Sequence, residues 1–426
     1  MELAVFLGSL LVILTTGIPI ALVILICCLI LMLFMGDVSS FTAAQQLING
    51  TNSAALMAIP FFMLAGELMA KGGLSKRIVD FANIVVGRVH GGLGYAAIIA
   101  SIIFSGLSGS PVADASALGA ILIPMMVSNG YDRATSTALI CAGAIIAPLI
   151  PPSVPMIVLG SAVNGLSITK MFMGGIIPGL VVGIVLMCAW AVVVKRNGYK
   201  DTVRYSREET RRILKESLPA LLLPVIIIGG IRFGIFTTTE AGSFACVYAL
   251  IISMFVYKEI KPGDIIPVAV ATARSTAVVM FVVCTATVAG SLITMARIPQ
   301  QMAELLGPLT GNPALLLVVI MLFLFFMGMI MDLTPNLLIF GPVLFPVVVS
   351  AGIDPTYFAI LMVFNLCLGL ITPPVGTILY LGCSVGGTTF GKLVKAIMPF
   401  LICELVILFV FVLFPGLILV PLDILM

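Results

Sequence analysis

Three features of this sequence specify an all-α polytopic membrane protein, folded as an inverted repeat with two re-entrant helical hairpins and two discontinuous helices. The first is composition. Hydrophobic residues make up 61% of the chain and charged residues 9%, with a mean hydropathy of +1.27, whereas a soluble domain carries about 25% charged residues. The second is repetition. Gly106, Gly119, Pro124, Ser128, Gly130, Asp132, Pro151, Pro152, Gly160, Gly165 and Lys170 recur 222 residues on, without a gap, as Gly328, Gly341, Pro346, Ser350, Gly352, Asp354, Pro373, Pro374, Gly382, Gly387 and Lys392. The third is the kind of residue that recurs: helix breakers and small polar residues set inside apolar runs.

Taken in order, the apolar segments run over 3–14, 18–35, 54–70, 93–128, 134–163, 172–194, 218–234, 239–257, 272–296, 314–350, 357–385 and 397–420. Segments 93–128 and 314–350 are too long for one crossing and are cut by GLSGSP (106–111) and GMIMDLTP (328–335). Each half, about 13–16 residues, is too short to cross comfortably, so each pair reads as a re-entrant hairpin. Segments 134–163 and 357–385 are broken by PLIPPS (148–153) and TPPVG (372–376). Each of these reads as one crossing with an unwound middle. The first repeat then covers 1–216 and the second 217–426. Residues 71–88 carry Lys76, Arg77 and Arg88 among apolar positions. They suit either an interfacial amphipathic arm or a plain loop helix.

Charge sets the topology. Eight of the 21 Lys and Arg lie in 195–215, and such a basic loop stays in the cytoplasm. If the hairpins count as no crossing and every other segment as one, 18 of the 21 basic residues fall inside; Lys170, Arg232 and Arg297 fall outside. Both termini come out on the outer side. An odd number of crossings precedes the second copy, so the repeats are inverted. Fusing 3–35 and 218–257 into single helices moves Lys258, Lys261, Arg274, Lys392 and Lys395 outside, so that arrangement is rejected.

Unwound backbone deep in a membrane is tolerated only inside protein or beside a wet cavity. Four breaks in two matched pairs are a mark of secondary transporters, whose site forms where two repeats meet. A break frees carbonyls, and with Ser and Thr hydroxyls these suit Na⁺, a hard cation. The N-termini of the second half-helices suit an anion. At the first hairpin and first break the candidate Na⁺ ligands are Ser105, Ser108, Gly109, Ser110, Pro151, Pro152 and Ser153. At the second hairpin and second break they are Gly328, Asp332, Thr334, Thr372, Pro373, Pro374 and Gly376. Asp114, Asn336 and Thr377 are the candidate substrate-facing residues.

Buried acids are functional candidates by default, yet Asp114 and Asp332 are equally placed to cap helices. Asp114 aligns with Asn336, and Asp332 with Ser110, so the two tips differ in charge. Glu67 and Glu240 lie in apolar runs and suit an ion pair, a proton carrier or a cap. Glu404 is placed to face a partner subunit. His90 is the only histidine and the nine cysteines have no ligand spacing, so no transition-metal site is expected. Neither a P-loop nor a Gly-Xaa-Ser-Xaa-Gly elbow occurs, so an enzyme is not expected, nor is nucleic-acid binding.

At IPFFMLAGELM (59–69), FSGLSGSPVADASALG (104–119), IPPSVPMIVLG (150–160), TTTEAG (237–242), MDLTP (331–335), GPVLFPVV (341–348) and ITPPVGTILY (371–380) the chain resembles the large membrane subunit (DctM/SiaM type) of TRAP transporters. The resemblance implies a multi-pass permease of the bacterial inner membrane with periplasmic termini. It implies two partners, a small four-helix membrane subunit on a separate polypeptide and a periplasmic substrate-binding protein. It further implies Na⁺-driven import of an organic acid (dicarboxylate, sialic acid or sugar acid) by an elevator movement, on an architecture similar to divalent-anion/Na⁺ symporters. The alternative is a stand-alone symporter of that kind without a binding protein. Leu333 stands where the family pattern leads one to expect a second Thr.

Overall fold

The computed structural model describes residues 1–36, 38–199 and 205–426, and its described residues form twenty α-helices. An all-helical chain is the expected outcome when apolar segments must satisfy every backbone N–H and C=O without water. Eight of the helices are long and apolar enough to cross a membrane. With Lys200 and Arg204 outside the described residues, the rest of the basic stretch 195–215 is largely helical. Lys195 and Arg196 end the helix Ile168–Asn197, and Arg207–Arg232 begins at a capping box in which Ser206 and Glu209 bond each other's backbone N–H. The predicted basic loop is therefore a short connection between two helix ends.

Two groups of helices pack together. One, here called the scaffold, joins Ala58–Lys71 to Thr238–Ile251 and to the 31-residue Ile265–Met295, which also packs on Ile20–Met35 and Ser40–Asn49. Glu2–Leu14 and Ile20–Met35 lie side by side across a turn at 15–19, and residues 233–237 separate Arg207–Arg232 from Thr238–Ile251. Neither pair is fused. The other group contains the helix pairs Gly92–Ser108/Pro111–Ser128 and Pro313–Ile330/Leu333–Ser350. It also contains the interrupted helices Arg133–Ala144/Val154–Ala162 and Pro355–Gly369/Thr377–Gly386.

The pair halves are 17 or 18 residues long, more than the sequence reading allowed. The reason is local. Only Gly109–Ser110 and Met331–Asp332 leave the helix, because Pro111 sits at the first helical position, where its missing N–H costs nothing. The breaks in the other two helices are wider, 145–153 and 370–376, and each contains one cis X-Pro bond, Pro151-Pro152 and Pro373-Pro374. The last predicted segment is divided at Pro415 into Phe390–Leu413 and Gly416–Leu425.

The repeats interlock. Thr377–Gly386 of the second repeat packs on Pro111–Ser128 of the first, and Val154–Ala162 of the first packs on Leu333–Ser350 of the second. Both crossings occur at matched glycines. A Cβ on Gly119 would lie 3.1 Å from Val385 Cγ1, and one on Gly341 would lie 3.0 Å from Leu159 Cδ1. The repeat also extends further than the matched residues indicated. The helix Ile298–Thr310, which the apolar segments did not predict, lies about one repeat length beyond Leu74–Val86. Ser40–Asn49 was missed as well; its polar residues hide it from a hydropathy reading.

Leu74–Val86 is an arm rather than a free loop. It buries Leu74, Ile78 and Val79 and packs on both Gly92–Ser108 and Arg207–Arg232. Arg77 pairs with Glu259 at 2.9 Å and stacks over the Tyr257 ring, and its backbone carbonyl accepts the Ser217 hydroxyl. Beside it, Trp190 donates to the Gly91 carbonyl at 2.9 Å and holds the base of the first helix pair.

The second pair crosses the second interrupted helix backbone to backbone. A Cβ on Gly369 would fall 2.3 Å from the Gly328 carbonyl carbon, an atom that cannot swing aside. Gly369→Ala is therefore expected to cost about 3 kcal/mol or more and to lower the melting midpoint in detergent by several degrees. Gly391→Ala, where nothing lies within 4 Å of the added methyl, is expected to leave it unchanged or raised.

Candidate functional site

The first tip is built by one residue without a side chain. Gly109 has φ +58°, and a Cβ there would lie 2.0 Å from the Pro152 carbonyl oxygen and 3.0 Å from Ser153 Cα. The tip thus rests directly on the first break. Pro151 reaches it too, with its carbonyl 3.5 Å from the Cβ position of Gly106. Ser153 caps Val154–Ala162 by accepting the Met156 N–H and donates its own hydroxyl to the Pro148 carbonyl at 2.7 Å.

Asp114 lies one turn into the second arm, fully buried, and points back at the first arm. Ser108 donates to one of its carboxylate oxygens, and Ser105 Oγ lies 3.2 Å from the other. Ser108 Oγ also accepts the Ser110 N–H at 3.2 Å. The expected substrate-facing role is thus not what the structure shows: Asp114 staples the two arms. Its helical register, four residues after Ser110, turns it toward the neighbouring arm.

The second tip repeats this device with a neutral residue. Asn336, also fully buried, places Nδ2 3.4, 3.0 and 3.0 Å from the carbonyl oxygens of Met327, Met331 and Asp332. It too is inside its helix pair rather than on a cavity wall. At the second break Thr372 is buried and donates to the Leu368 carbonyl at 2.6 Å, Pro373 is half-buried and Pro374 is exposed. Gly376, with φ +53°, starts Thr377–Gly386. The Thr377 hydroxyl is buried with no partner among the described residues and lies away from the cavity.

The two tips meet across a cavity of about 750 Å³. Ser108, Gly109 and Ser110 line it from the first tip, and Asp332, Leu333 and Thr334 from the second. The opposite wall is scaffold: Phe62, Gly66, Glu67 and Lys71 on one helix, Thr272 and Ser275 on another. The contact is close, for a Cβ on Gly66 would lie 3.8 Å from Ser108 Cα.

Of the residues chosen from sequence, the cavity therefore gathers Ser108, Gly109, Ser110, Asp332 and Thr334. Ser105, Pro151, Pro152 and Ser153 stand behind the first tip. Gly328, Thr372, Pro373, Pro374 and Gly376 stand behind or beside the second. Thr272, Ser275 and Lys71 were missed, since they lie on scaffold helices with no break to mark them. Glu67 faces the cavity, whereas Glu240 completes a capping box by accepting the Thr237 N–H at 2.8 Å. Glu404 is buried inside the chain rather than presented to a partner subunit.

Behind the first tip the hydroxyls of Ser105 and Ser108 meet the Asp114 carboxylate, and the Pro151 and Pro152 carbonyls approach Gly106 and Gly109 of the same tip, so these polar atoms are all oxygens. Hard monovalent and divalent cations prefer such a set. Among the described residues no group of His, Cys, Asp and Glu could hold a metal ion.

Fold and cavity define an all-helical, multi-pass membrane protein. Residues 7–417 match the family model described as "Tripartite ATP-independent periplasmic transporter, DctM component". The chain belongs to this family, the large permeases of TRAP transporters. It is 44% identical over 423 residues, 99% of each chain, to the 2,3-diketo-L-gulonate TRAP transporter large permease protein YiaN of Escherichia coli K12. It is 37% identical over 399 residues, 94% of this chain and 93% of the other, to the sialic acid TRAP transporter large permease protein SiaM of Vibrio cholerae. The crystal structure of the Alcanivorax borkumensis YdaH transporter shares the fold, with a TM-score of 0.61 at 16% identity, covering 89% of this chain and 88% of that one.

The staples are testable. Asn336→Leu leaves buried carbonyls without a donor and is expected to cost roughly 2–4 kcal/mol. Asp114→Ala is expected to cost roughly 1–3 kcal/mol. Both should lower the melting midpoint and speed thiol labelling of a Ser110→Cys reporter at the first tip.

Proposed function

We propose that this chain is the large permease subunit of a Na⁺-coupled TRAP symporter of the bacterial inner membrane. It imports an organic acid delivered by a periplasmic binding protein and works with a small four-helix membrane subunit. The observation that carries the reading is the convergence of both tips on one cavity whose other wall is scaffold. The two helix pairs act as re-entrant hairpins. They and the interrupted helices move as one body past the scaffold, in the manner of an elevator. The organic acid is of the class named for the relatives, a dicarboxylate, sialic acid or a sugar-acid derivative.

Charge supplies a reason for coupling. The cavity wall carries two carboxylates, Glu67 and Asp332, against one cation, Lys71. An organic anion entering alone meets net repulsion. Na⁺, as co-transported cargo, offsets it. Ser105, Ser108, Asp114 and the carbonyls of Pro151 and Pro152 would hold one Na⁺ behind the first tip. Thr372, and the unpartnered Thr377 hydroxyl nearby in sequence, are the corresponding donors at the second break. Because the tips rest on the breaks, a cation held there fixes tip geometry before the anion arrives. The cavity reaches Ala117, Ala120 and Ile121 along the first hairpin and Lys71 at the basic end of its scaffold helix. By the charge rule that side is cytoplasmic, so the state described is inward-open with outer termini.

The test is uptake into proteoliposomes holding this chain and its small subunit, with and without the binding protein and an inward Na⁺ gradient. Uptake only with both supports the proposal; uptake with Na⁺ but no binding protein points to a stand-alone symporter. Ser108→Ala and Thr372→Ala are each expected to raise the half-saturating Na⁺ concentration on the order of tenfold, the loss of one charge-assisted contact. An unchanged Na⁺ dependence in both would refute the ion-site assignment.

A further inference from the structure

A second cavity, of about 730 Å³, lies farther along the same scaffold helices. On Ile265–Met295 the tip cavity takes Thr272, Ser275, Val278 and Val279, and the second cavity takes Val283, Thr287, Ser291 and Thr294. Ser275 and Ser291 are about 24 Å apart along the axis, at 1.5 Å per residue. Between the two polar stretches runs a belt of valines, Val278, Val279, Val282 and Val283. The other wall is the base of the second helix pair, at Pro342, Phe345 and Val349. By the inverted topology this is the outer side.

The first repeat shapes this cavity by a departure from symmetry. Where the second repeat has one continuous helix, the first stops at Asn49 and restarts at Ala58. Gly50 lets the interruption press against that continuous helix, since a Cβ there would lie 2.8 Å from Cys284 Cα. The connecting stretch then contributes Asn52 and Ser53 to the wall.

The chemistry of the lining is specific. No residue that lines the cavity is charged. The side-chain amides of Gln46, Asn49, Asn52 and Asn164 line it, and none of the hydrogen bonds described among side chains involves them. Thr287, Ser291 and Thr294 each donate their only hydroxyl hydrogen to a carbonyl of their own helix, at 2.8–2.9 Å. Toward the cavity these hydroxyls can only accept. The wall therefore offers amide donors together with acceptors that need a hydrogen from the ligand. A fully ionised dicarboxylate has no hydrogen to give. A hydroxylated carboxylic acid satisfies both sets, with its carboxylate and hydroxyl oxygens on the amides and its hydroxyl hydrogens on Thr287, Ser291 and Thr294.

We infer that this outer cavity is a separate first-arrival site for a hydroxylated organic anion. The inference rests on the transport reading above and extends it to a ligand class and a second place of binding. Neutral hydrogen bonds net only about 0.5–1.5 kcal/mol each, so the site holds its ligand weakly and releases it readily. The valine belt separates it from the tip cavity, and crossing that belt is the step that needs the moving tips.

The experiment uses the full chain with its small subunit, carrying Ser53→Cys as a reporter, with labelling at that position read by peptide mass spectrometry. D-gluconate at millimolar concentration is expected to slow maleimide labelling at least fivefold, and succinate to change it less than twofold. Asn52→Leu together with Ser291→Val should abolish the gluconate protection. Equal protection by both acids, or by neither, would overturn the inference, and the reporter alone decides this if the double variant does not fold. A Ser275→Cys reporter in the tip cavity separates the two readings. Protection there with none at Ser53→Cys removes the outer site and leaves the transporter standing. Gluconate protection at Ser53→Cys without uptake by the reconstituted complex keeps the outer site and removes the transport reading.

Discussion

Everything in this molecule depends on how buried backbone is satisfied where helices stop. In lipid, an unpaired N–H or C=O costs several kcal/mol, and this chain interrupts its helices four times inside its core. The two tips answer with one device at equivalent positions. A polar side chain one turn into the returning arm reaches back across the bend, Asp114 to the Ser105 and Ser108 hydroxyls and Asn336 to the Met327, Met331 and Asp332 carbonyls. These staples join the two arms at each bend, where Ser108–Ser110 and Asp332–Thr334 line the cavity.

The staples differ, and the difference has consequences. Asn336 supplies hydrogens to the carbonyls and leaves its own Oδ1 buried without a partner among the described residues, while the Asp332 carboxylate faces the cavity. Asp114 supplies a carboxylate and attracts hydroxyls, so the first tip gathers oxygen atoms and a negative charge inside the protein. Each tip thus carries one carboxylate, placed between the arms at the first tip and on the cavity wall at the second. The interlock joins the two pairs: Gly119 and Gly341 let each repeat's half-helix pack closely on the other's helix pair.

Most of the architecture was legible because it was written in breakers. The 222-residue offset, the paired prolines at 151–152 and 373–374, and the apolar runs together specified two helix pairs and two interrupted helices. What stayed hidden had a physical cause each time. Ser40–Asn49 and Ile298–Thr310 are amphipathic and carry no long apolar run. Asp114 and Asn336 looked like cavity residues because polar residues in apolar surroundings look alike whether they bind a ligand or a neighbouring helix; only their direction decides, and periodicity near a bend does not fix it. Thr272 and Ser275 lie on an unbroken helix with no break to mark them, and the Thr272 hydroxyl does donate to the Val268 carbonyl of its own turn. Glu67 and Glu240 could not be separated by sequence, yet Glu240 follows Thr237 by three residues, the spacing of a capping box.

The scaffold carries different charges at its two cavities. Its wall at the tip cavity carries both Glu67 and Lys71, while its wall farther out carries no charge. Under the proposed symport, the carboxylate of Glu67 repels an organic anion once a neutralising cation departs, because Coulomb repulsion between unit charges about 4 Å apart amounts to about 4 kcal/mol at an effective dielectric of about 20. The same carboxylate placed at the outer position would hinder loading. Under the proposed transport cycle, charge at one cavity and neutral amides at the other favour capture at the uncharged end and release at the charged one. In that reading the bias lies in Ala58–Lys71 and Ile265–Met295, and the tips have only to bind.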